Sequence, residues 1–239
     1  MATVSIDFET RSVVDLKKCG AHAYAAHEST RVLCMGWRKD SDEPGLWRAG
    51  VLEPQSDPFP QAVLDHLAAG GRLIAHNAAF EYLIWNKVLR RQFPHLPYLP
   101  IERWYCTMAA ALACGLPGGL DHLAMALRLN FRKDPAGHRA MLRLCKPKAY
   151  DPDGAPIWVT DPALRDALYA YCKQDVEVER AAGRNLPVLS KDEQQVWFMD
   201  QRINERGVAA DVAFCTAGIP VLAEAMVRAC RRIAQVTGY

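Results

Sequence analysis

The sequence predicts an α/β domain followed by a short helical extension. The chain has 239 residues, of which 50% are hydrophobic, enough for one sizeable domain and a smaller appendage. Its first half alternates strand-like and helix-like segments, whereas the signals after residue 160 are helical. The net charge of +2 is too small to indicate a nucleic-acid partner by itself, and ordinary hydrophobicity argues against disorder.

Four segments have strand patterns. Residues 3–9 alternate polar and apolar side chains, as expected of a strand with one face toward a core. Residues 31–38 predict a second strand, residues 45–51 a third, and the short apolar run at 72–76 a fourth.

Helix patterns lie between and after these strands. They cover residues 61–69, 79–91, 104–114 and 120–129, and the last two are separated by the breaker Leu116-Pro-Gly-Gly119. Residues 146–156 are polar and rich in proline and glycine, which predicts a loop.

Two further helices have clear start signals. Asp161 before Pro162 is typical of an N-cap followed by proline in the first turn, and this helix should run to about Gly183. Ser190 and Glu193 have the spacing of a capping box. We therefore place a boundary before Ser190, with a main domain at 1–187 and a helical extension at 188–239.

The cysteine pattern and the distribution of apolar residues indicate the cellular environment of the protein. The eight cysteines are scattered without a C-x-x-C pair, so the sequence does not predict a zinc site. No basic, apolar leader and no uninterrupted run of about 18 apolar residues occurs. We expect free thiols, a cytoplasmic location and no membrane partner.

The first candidate for chemistry is the N-terminal strand. Alternation places Asp7 and Glu9 on one face, opposite Val4, Ile6 and Phe8. Two carboxylates about 7 Å apart along one strand face can converge on a divalent cation. A solvated strand face would give the same pattern.

The second candidate follows the strand at 72–76. Asn77 and Glu81 stand where that strand ends and a helix begins. The ordinary interpretation is that Asn77 is an N-cap and that Glu81 is a first-turn acid complementing the helix dipole.

The third candidate lies on the helix that starts at Pro162. Tyr171 and Asp175 are one turn apart and share a helical stripe with Leu164, Leu168 and Val178. An acid in a stripe that packing would fill with aliphatic residues is costly unless it is paired or binds a metal. A tyrosine stacked under an N-capped neighbour is the alternative.

Together these segments resemble the DEDD superfamily of 3′→5′ exonucleases, which have a ribonuclease H-like fold. Asp7-Phe-Glu9 resembles the first motif of this superfamily. Asn77-Ala-Ala-Phe-Glu81 resembles its second motif, and Tyr171-x-x-x-Asp175 resembles its third. The tyrosine spacing marks the DEDDy branch, because the histidine branch has His where this chain has Ala170.

Within that branch the chain is most similar to the proofreading region of family A DNA polymerases, especially those of bacteriophages. Residues 7–12 (DFETRS), 171–179 (YCKQDVEVE) and 202–207 (RINERG) carry this closer resemblance, which extends over nearly the whole chain. It implies a mixed central sheet flanked by helices. It also implies that residues 188–239 begin a polymerase region, which about fifty residues cannot complete.

The resemblance further implies two divalent ions, Mg²⁺ or Mn²⁺, acting on the 3′ end of single-stranded DNA. Asp7, Glu9 and Asp175 would hold the first ion, Asp7 would bridge to the second with Glu81 nearby, and Tyr171 would orient the attacking water. The second motif usually ends in Asp, so Glu81 is a departure that can change which metal works best.

Residues for substrate binding also follow from the resemblance. Thr10, Asn77 and Phe80 match positions that line the terminal nucleotide in related domains. Phe80 equally fits an ordinary core stripe. Two rival functions stay open: an RNA-trimming member of the same branch, similar to RNase D, and a catalytically silent DNA-binding module.

Overall fold

A computed structural model describes residues 3–130 and 134–238 of the chain. Contacts between Cα atoms divide it into two compact units, Met1–Arg202 and Ile203–Tyr239. The division falls beyond the boundary expected near residue 187, and the domain ranges 1–187 and 188–239 stay predictions.

The first unit contains a five-stranded mixed sheet in the order β3-β2-β1-β4-β5. Strands β1, β2 and β3 pair antiparallel, whereas β1, β4 and β5 pair parallel. The strands are β1 (Val4–Arg11), β2 (Arg31–Lys39), β3 (Gly45–Arg48), β4 (Leu73–Ala75) and β5 (Trp104–Cys106). The expected mixed sheet flanked by helices is therefore confirmed.

Helices connect the strands and cover the sheet. Those before the long helix of the third motif are α1 (Leu16–Ala26), α2 (Gln61–Ala68), α3 (Ala78–Leu83), α4 (Arg90–Gln92), α5 (Thr107–Ala113), α6 (Leu120–Ala126) and α7 (Pro135–Leu144). The later ones are α8 (Pro162–Arg184), α9 (Lys191–Arg206) and α10 (Val212–Thr237). A 3₁₀ turn covers Ile101–Arg103, and a hairpin of β6 (Ala149–Tyr150) and β7 (Pro156–Ile157) occupies most of the predicted loop.

A π-helical segment, Ile84–Leu89, joins α3 to α4 in what the sequence predicts as one helix at 79–91. Asn86 in this segment exchanges hydrogen bonds with both backbone groups of Leu99, at 2.8 and 3.0 Å. At the end of α4, Oε1 of Gln92 accepts a 2.7 Å hydrogen bond from the backbone N–H of Val32. Polar contacts therefore hold the π segment to Leu99 and the end of α4 to β2.

The prediction of a helix over residues 104–114 is wrong in its first turn. Trp104–Cys106 forms β5, which pairs in parallel with β4, and the helix begins only at Thr107. Trp104 and Cys106 are buried on alternate positions of that strand, so sheet packing overrides the helical pattern. The predictions missed α1 and α7, although Asp15 and Asp134 cap them.

The start signals of the two late helices are confirmed. Asp161 accepts a 2.9 Å hydrogen bond from the backbone N–H of Ala163, and α8 ends at Arg184, one residue from the expected end. Ser190 Oγ accepts a 3.2 Å bond from the N–H of Glu193, so α9 is capped as its sequence predicts.

Helix α8 packs closely on β2 and β1 at Gly36. The N–H of Gly36 donates to Sγ of Cys172 at 3.0 Å, and a Cβ at this glycine would lie 2.6 Å from the Cys172 carbonyl oxygen. A glycine is therefore required where the helix crosses the sheet, and this close approach sets the distance between the third motif and β1.

The second unit consists of the end of α9 and all of α10. Helix α10 is long and apolar enough to cross a membrane by length and composition, with a mean hydropathy of 1.5. A search for uninterrupted apolar runs does not detect it, because charged residues such as Glu224 and Arg228 interrupt the pattern. A single helix of this kind is weak evidence for a membrane span.

Candidate metal centre

Strand β1 presents the first two acids. Ile6 and Phe8 point into the main core, and the alternation sends Asp7 and Glu9 to the opposite face, as predicted. Sγ of Cys172 on α8 lies 3.5 Å from the backbone oxygen of Asp7, so that helix covers the acidic face. Glu9 is buried, which excludes the solvated strand face as the explanation for this residue.

Helix α8 presents the third motif to the same face. Tyr171 and Asp175 are buried on the predicted stripe, together with Leu168 and Val178. The Tyr171 side chain forms a hydrogen bond with Asp175. Burial raises the pKa of Tyr171, and the negative charges of Asp175 and Glu9 raise it further, so the phenol stays protonated and can donate a hydrogen bond.

Glu81 lies in the first turn of α3 but is not an exposed dipole-complementing acid. Its side chain is only 3% exposed, and no other described residue offers its Oε2 atom a hydrogen bond. Burial raises the pKa of Glu81 well above its usual range, and the charges of Asp7 and Glu9 raise it further. Glu81 therefore faces the acids of β1.

Asn77 caps α3 by position only. It adopts the left-handed conformation, with φ of 66°, and its side chain makes no capping hydrogen bond. Asparagine tolerates this conformation better than most residues. The turn brings the chain from the end of β4 directly into the helix that carries Glu81.

The structure thus brings the predicted acids of three distant segments to one region. Ligand atoms of Asp7, Glu9 and Cys172 all lie within 4.8 Å of one another. Glu81 and the Tyr171–Asp175 pair border them, since the charges of Asp7 and Glu9 act on the pKa values of both Glu81 and Tyr171.

This arrangement fits a divalent cation. Several carboxylates in one partly buried region repel one another, and a buried carboxylate oxygen is costly unless a cation or a proton satisfies it. The unpartnered Oε2 atom of Glu81 is the clearest sign of this need. Carboxylate oxygens from Asp7, Glu9, Glu81 and Asp175 are ligands that Mg²⁺ and Mn²⁺ prefer.

Two of the three predicted nucleotide-binding residues, Thr10 and Phe80, lie beside Tyr24. Thr10 Oγ1 and the Tyr24 hydroxyl lie 3.0 Å apart, and the ring centroids of Phe80 and Tyr24 are 6.3 Å apart. Phe80 is half-buried against the core, which matches its alternative interpretation, and Asn77 is exposed. Binding of a nucleotide by these three residues stays a prediction.

Several residues of the site were not selected from the sequence. Glu179, one turn after Asp175, is 2% exposed. Neither of its carboxylate oxygens has a partner with hydrogen-bond geometry among the residues that the structure describes. It lines a cavity of about 220 Å³ together with Arg180 and Arg184. The i, i+4 spacing from Asp175 was the available signal for Glu179.

Two other neighbours of the site had no local signal. The ring of His138 on α7 lies 6.3 Å from the Tyr171 ring, centroid to centroid. The guanidinium of Arg11, two residues after Glu9, stacks on Trp158 at 4.2 Å. Burial and the nearby charge of Arg31 lower the pKa of Arg11 to about 10, so this cation remains charged at neutral pH.

The fold and the centre define a class, an α/β domain in which a central strand and two helices gather acids suited to a hard divalent cation. No protein-family model matches the chain. The chain is similar to a DNA polymerase of Bacillus phage SP02, with 37% identity over 220 residues, which are 89% of this chain and 32% of that polymerase. It therefore spans about a third of the relative's length.

Proposed function

We propose that the chain is a metal-dependent 3′→5′ exonuclease with a ribonuclease H-like fold. It would release nucleoside monophosphates from single-stranded or frayed DNA 3′ ends, as the proofreading domain of a family A DNA polymerase. The observation that carries the proposal is that Asp7 and Glu9 lie together on β1, while their charges act on the buried Glu81 and on Tyr171, the partner of Asp175. The similarity to a phage DNA polymerase supports the choice of DNA as substrate.

The residues have distinct tasks in this mechanism. Asp7, Glu9, Glu81 and Asp175 would hold two divalent ions, Mg²⁺ or Mn²⁺, which supply Lewis-acid stabilisation of the scissile phosphate when bound. Tyr171 stays protonated and would hold the attacking water in line with the phosphorus, while Asp175 fixes the direction of the phenol.

Substrate binding would use the groups beside this centre. Thr10 and Phe80, both in contact with Tyr24, would border the terminal nucleotide, with Asn77 at the exposed edge. Arg11 would add a positive charge on the strand that carries Asp7 and Glu9, which favours an anionic backbone.

The test compares degradation of oligonucleotides labelled at the 3′ or the 5′ end, with Mg²⁺ or Mn²⁺ and with chelator. We expect mononucleotides from the 3′ end, no activity with chelator, and at least about 10³-fold loss in Asp7→Ala. Asp166→Ala, which removes an exposed acid on α8, is the matched control and should keep full activity.

Three outcomes would overturn parts of the proposal. Full activity of Asp7→Ala would refute the assigned centre. Faster trimming of a matched RNA oligomer would favour the RNA-trimming function over the DNA function. DNA binding without hydrolysis, even with Mn²⁺ at high enzyme concentration, would show a silent module in which Glu81 replaces the usual aspartate.

A further inference from the structure

A thiol lies among the carboxylates of the candidate metal centre. Sγ of Cys172 is 3.9 Å from Oδ2 of Asp7, and both lie within 4.8 Å of a ligand atom of Glu9. In a tetrahedral zinc site, a thiolate at about 2.3 Å and a carboxylate oxygen at about 2.1 Å are separated by about 3.6 Å. The observed spacing of sulfur and oxygen is therefore close to that of two ligands of one ion.

Glu81 gives independent evidence that this spot requires a cation. It comes from α3, not from the elements that carry the thiol and its two neighbouring acids; it is 3% exposed, and the charges of Asp7 and Glu9 act on it. Its Oε2 atom has no hydrogen-bond partner in the part of the chain that the structure describes. A buried carboxylate oxygen left without a partner in an acidic cluster is stabilised by a bound cation.

The Cys172 sulfur accepts a backbone hydrogen bond at a buried position, where burial raises the pKa of the free thiol and keeps it protonated until a metal ion binds. The Gly36 N–H donates to Sγ at 3.0 Å, and this bond stays available when the sulfur becomes negatively charged. Since a side chain at Gly36 would collide with the carbonyl oxygen of Cys172, the glycine fixes the sulfur at this depth. The thiol is fully buried, so the surrounding residues fix its position in the cluster.

We propose that Cys172, Asp7 and Glu9 form a binding site for a thiophilic divalent cation, Zn²⁺ or Cd²⁺, that displaces the hard cations and inhibits the centre. On binding, the S–H proton passes to solvent and the sulfur coordinates as thiolate. A thiolate selects zinc over magnesium, which the carboxylates alone do not. The binding site rests on geometry, whereas the inhibition rests on the proposed exonuclease function.

The binding test uses Cd²⁺ and the ultraviolet charge-transfer absorption of cadmium thiolates, which requires no nuclease activity. Wild type should gain a band that Cys172→Ser lacks, and zinc affinity measured against a competing chelator should fall at least about 100-fold in that variant. Cys106→Ser is the control, because Cys106 is also buried but lies on β5, outside the cluster, whereas Cys34 bonds Cys172 directly. Four exposed cysteines are common to all three proteins and cancel in the difference.

A second variant keeps the test independent of how Cys172→Ser folds. Asp7→Asn retains the thiol and the side-chain size but removes a charged ligand, so cadmium should bind at least about tenfold more weakly. The proposal is overturned if wild type lacks the band, if Cys172→Ser keeps it, or if Asp7→Asn binds cadmium as tightly as wild type.

The inhibition arm measures Mg²⁺-dependent degradation at increasing Zn²⁺. Each protein is compared with its own rate without zinc, and Cys172→Ser should need at least about tenfold more zinc for half inhibition. Equal zinc sensitivity of the two proteins would refute the inhibitory role. A cadmium band without any nuclease activity would refute the exonuclease proposal and leave the thiol site standing.

Discussion

Replacement of Gly36 by alanine tests how closely α8 must approach the sheet. The added Cβ would lie 2.6 Å from the carbonyl oxygen of Cys172 and 3.0 Å from a methyl group of Val176. Ordinary contact requires α8 to retreat by about 0.8 Å. Overpacking of this kind costs about 1–3 kcal/mol in the free energy of unfolding. Because α8 carries Tyr171 and Asp175, a shift near 1 Å should also lower the proposed exonuclease activity by up to about 100-fold.

Urea denaturation and the rate of oligonucleotide degradation measure the two effects separately. Gly218→Ala on α10 is the control, since no atom lies within 4 Å of its added Cβ and alanine is the better helix former. It should not destabilise the protein. If Gly36→Ala unfolded within about 0.5 kcal/mol of wild type and kept its rate, the described contact between α8 and β2 would be refuted.

Three further predictions concern α8. Tyr171→Phe removes the hydroxyl that bonds Asp175, so kcat should fall about 100-fold with unchanged Mn²⁺ affinity by calorimetry, and an unchanged kcat would exclude the orienting role. Burial and the charge of Asp7 raise the pKa of Glu179 in the folded protein above its ordinary value of 4.5. The protonated Glu179 side chain therefore contributes its full stabilisation below pH 4.5, and this stabilisation is lost as the pH rises through the pKa of the folded state. The unfolding free energy of chelator-treated Glu179→Gln should therefore decline less with pH than that of wild type, and parallel urea-denaturation curves would contradict this. Asp161→Ala removes the N-cap acceptor of α8 and should cost about 1 kcal/mol by thermal denaturation, whereas an unchanged melting temperature would show that the cap contributes nothing.

The parts of the fold that the sequence predicted are those with a local cause. The alternation of β1 could be predicted because the face to which each side chain points depends only on the two-residue period of the strand. The caps at Asp161 and Ser190 depend on residues two or three positions away. Strand β5 was misassigned because three residues are too few for a period and only pairing with β4 defines them.

The surroundings of the centre depend on contacts between distant segments. The hydrogen bond from Gly36 to Cys172 joins residues 136 positions apart, and no pattern near either residue announces it. The burial of Glu81 likewise follows from packing of α3 against β1, whereas its sequence position equally suits an exposed first-turn acid. Side-chain chemistry could therefore be proposed from the sequence, but its burial could not.

The π-helical turn at Ile84–Leu89 constrains the number of residues in that segment as well as their identity. A π turn holds one more residue than an α turn, so every residue after it is rotated by about 100° relative to a continuous α-helix. That rotation places Gln92 over the start of β2. Deletion of one residue from this segment would rotate Gln92 away from Val32 and break their hydrogen bond, even if every other side chain were unchanged.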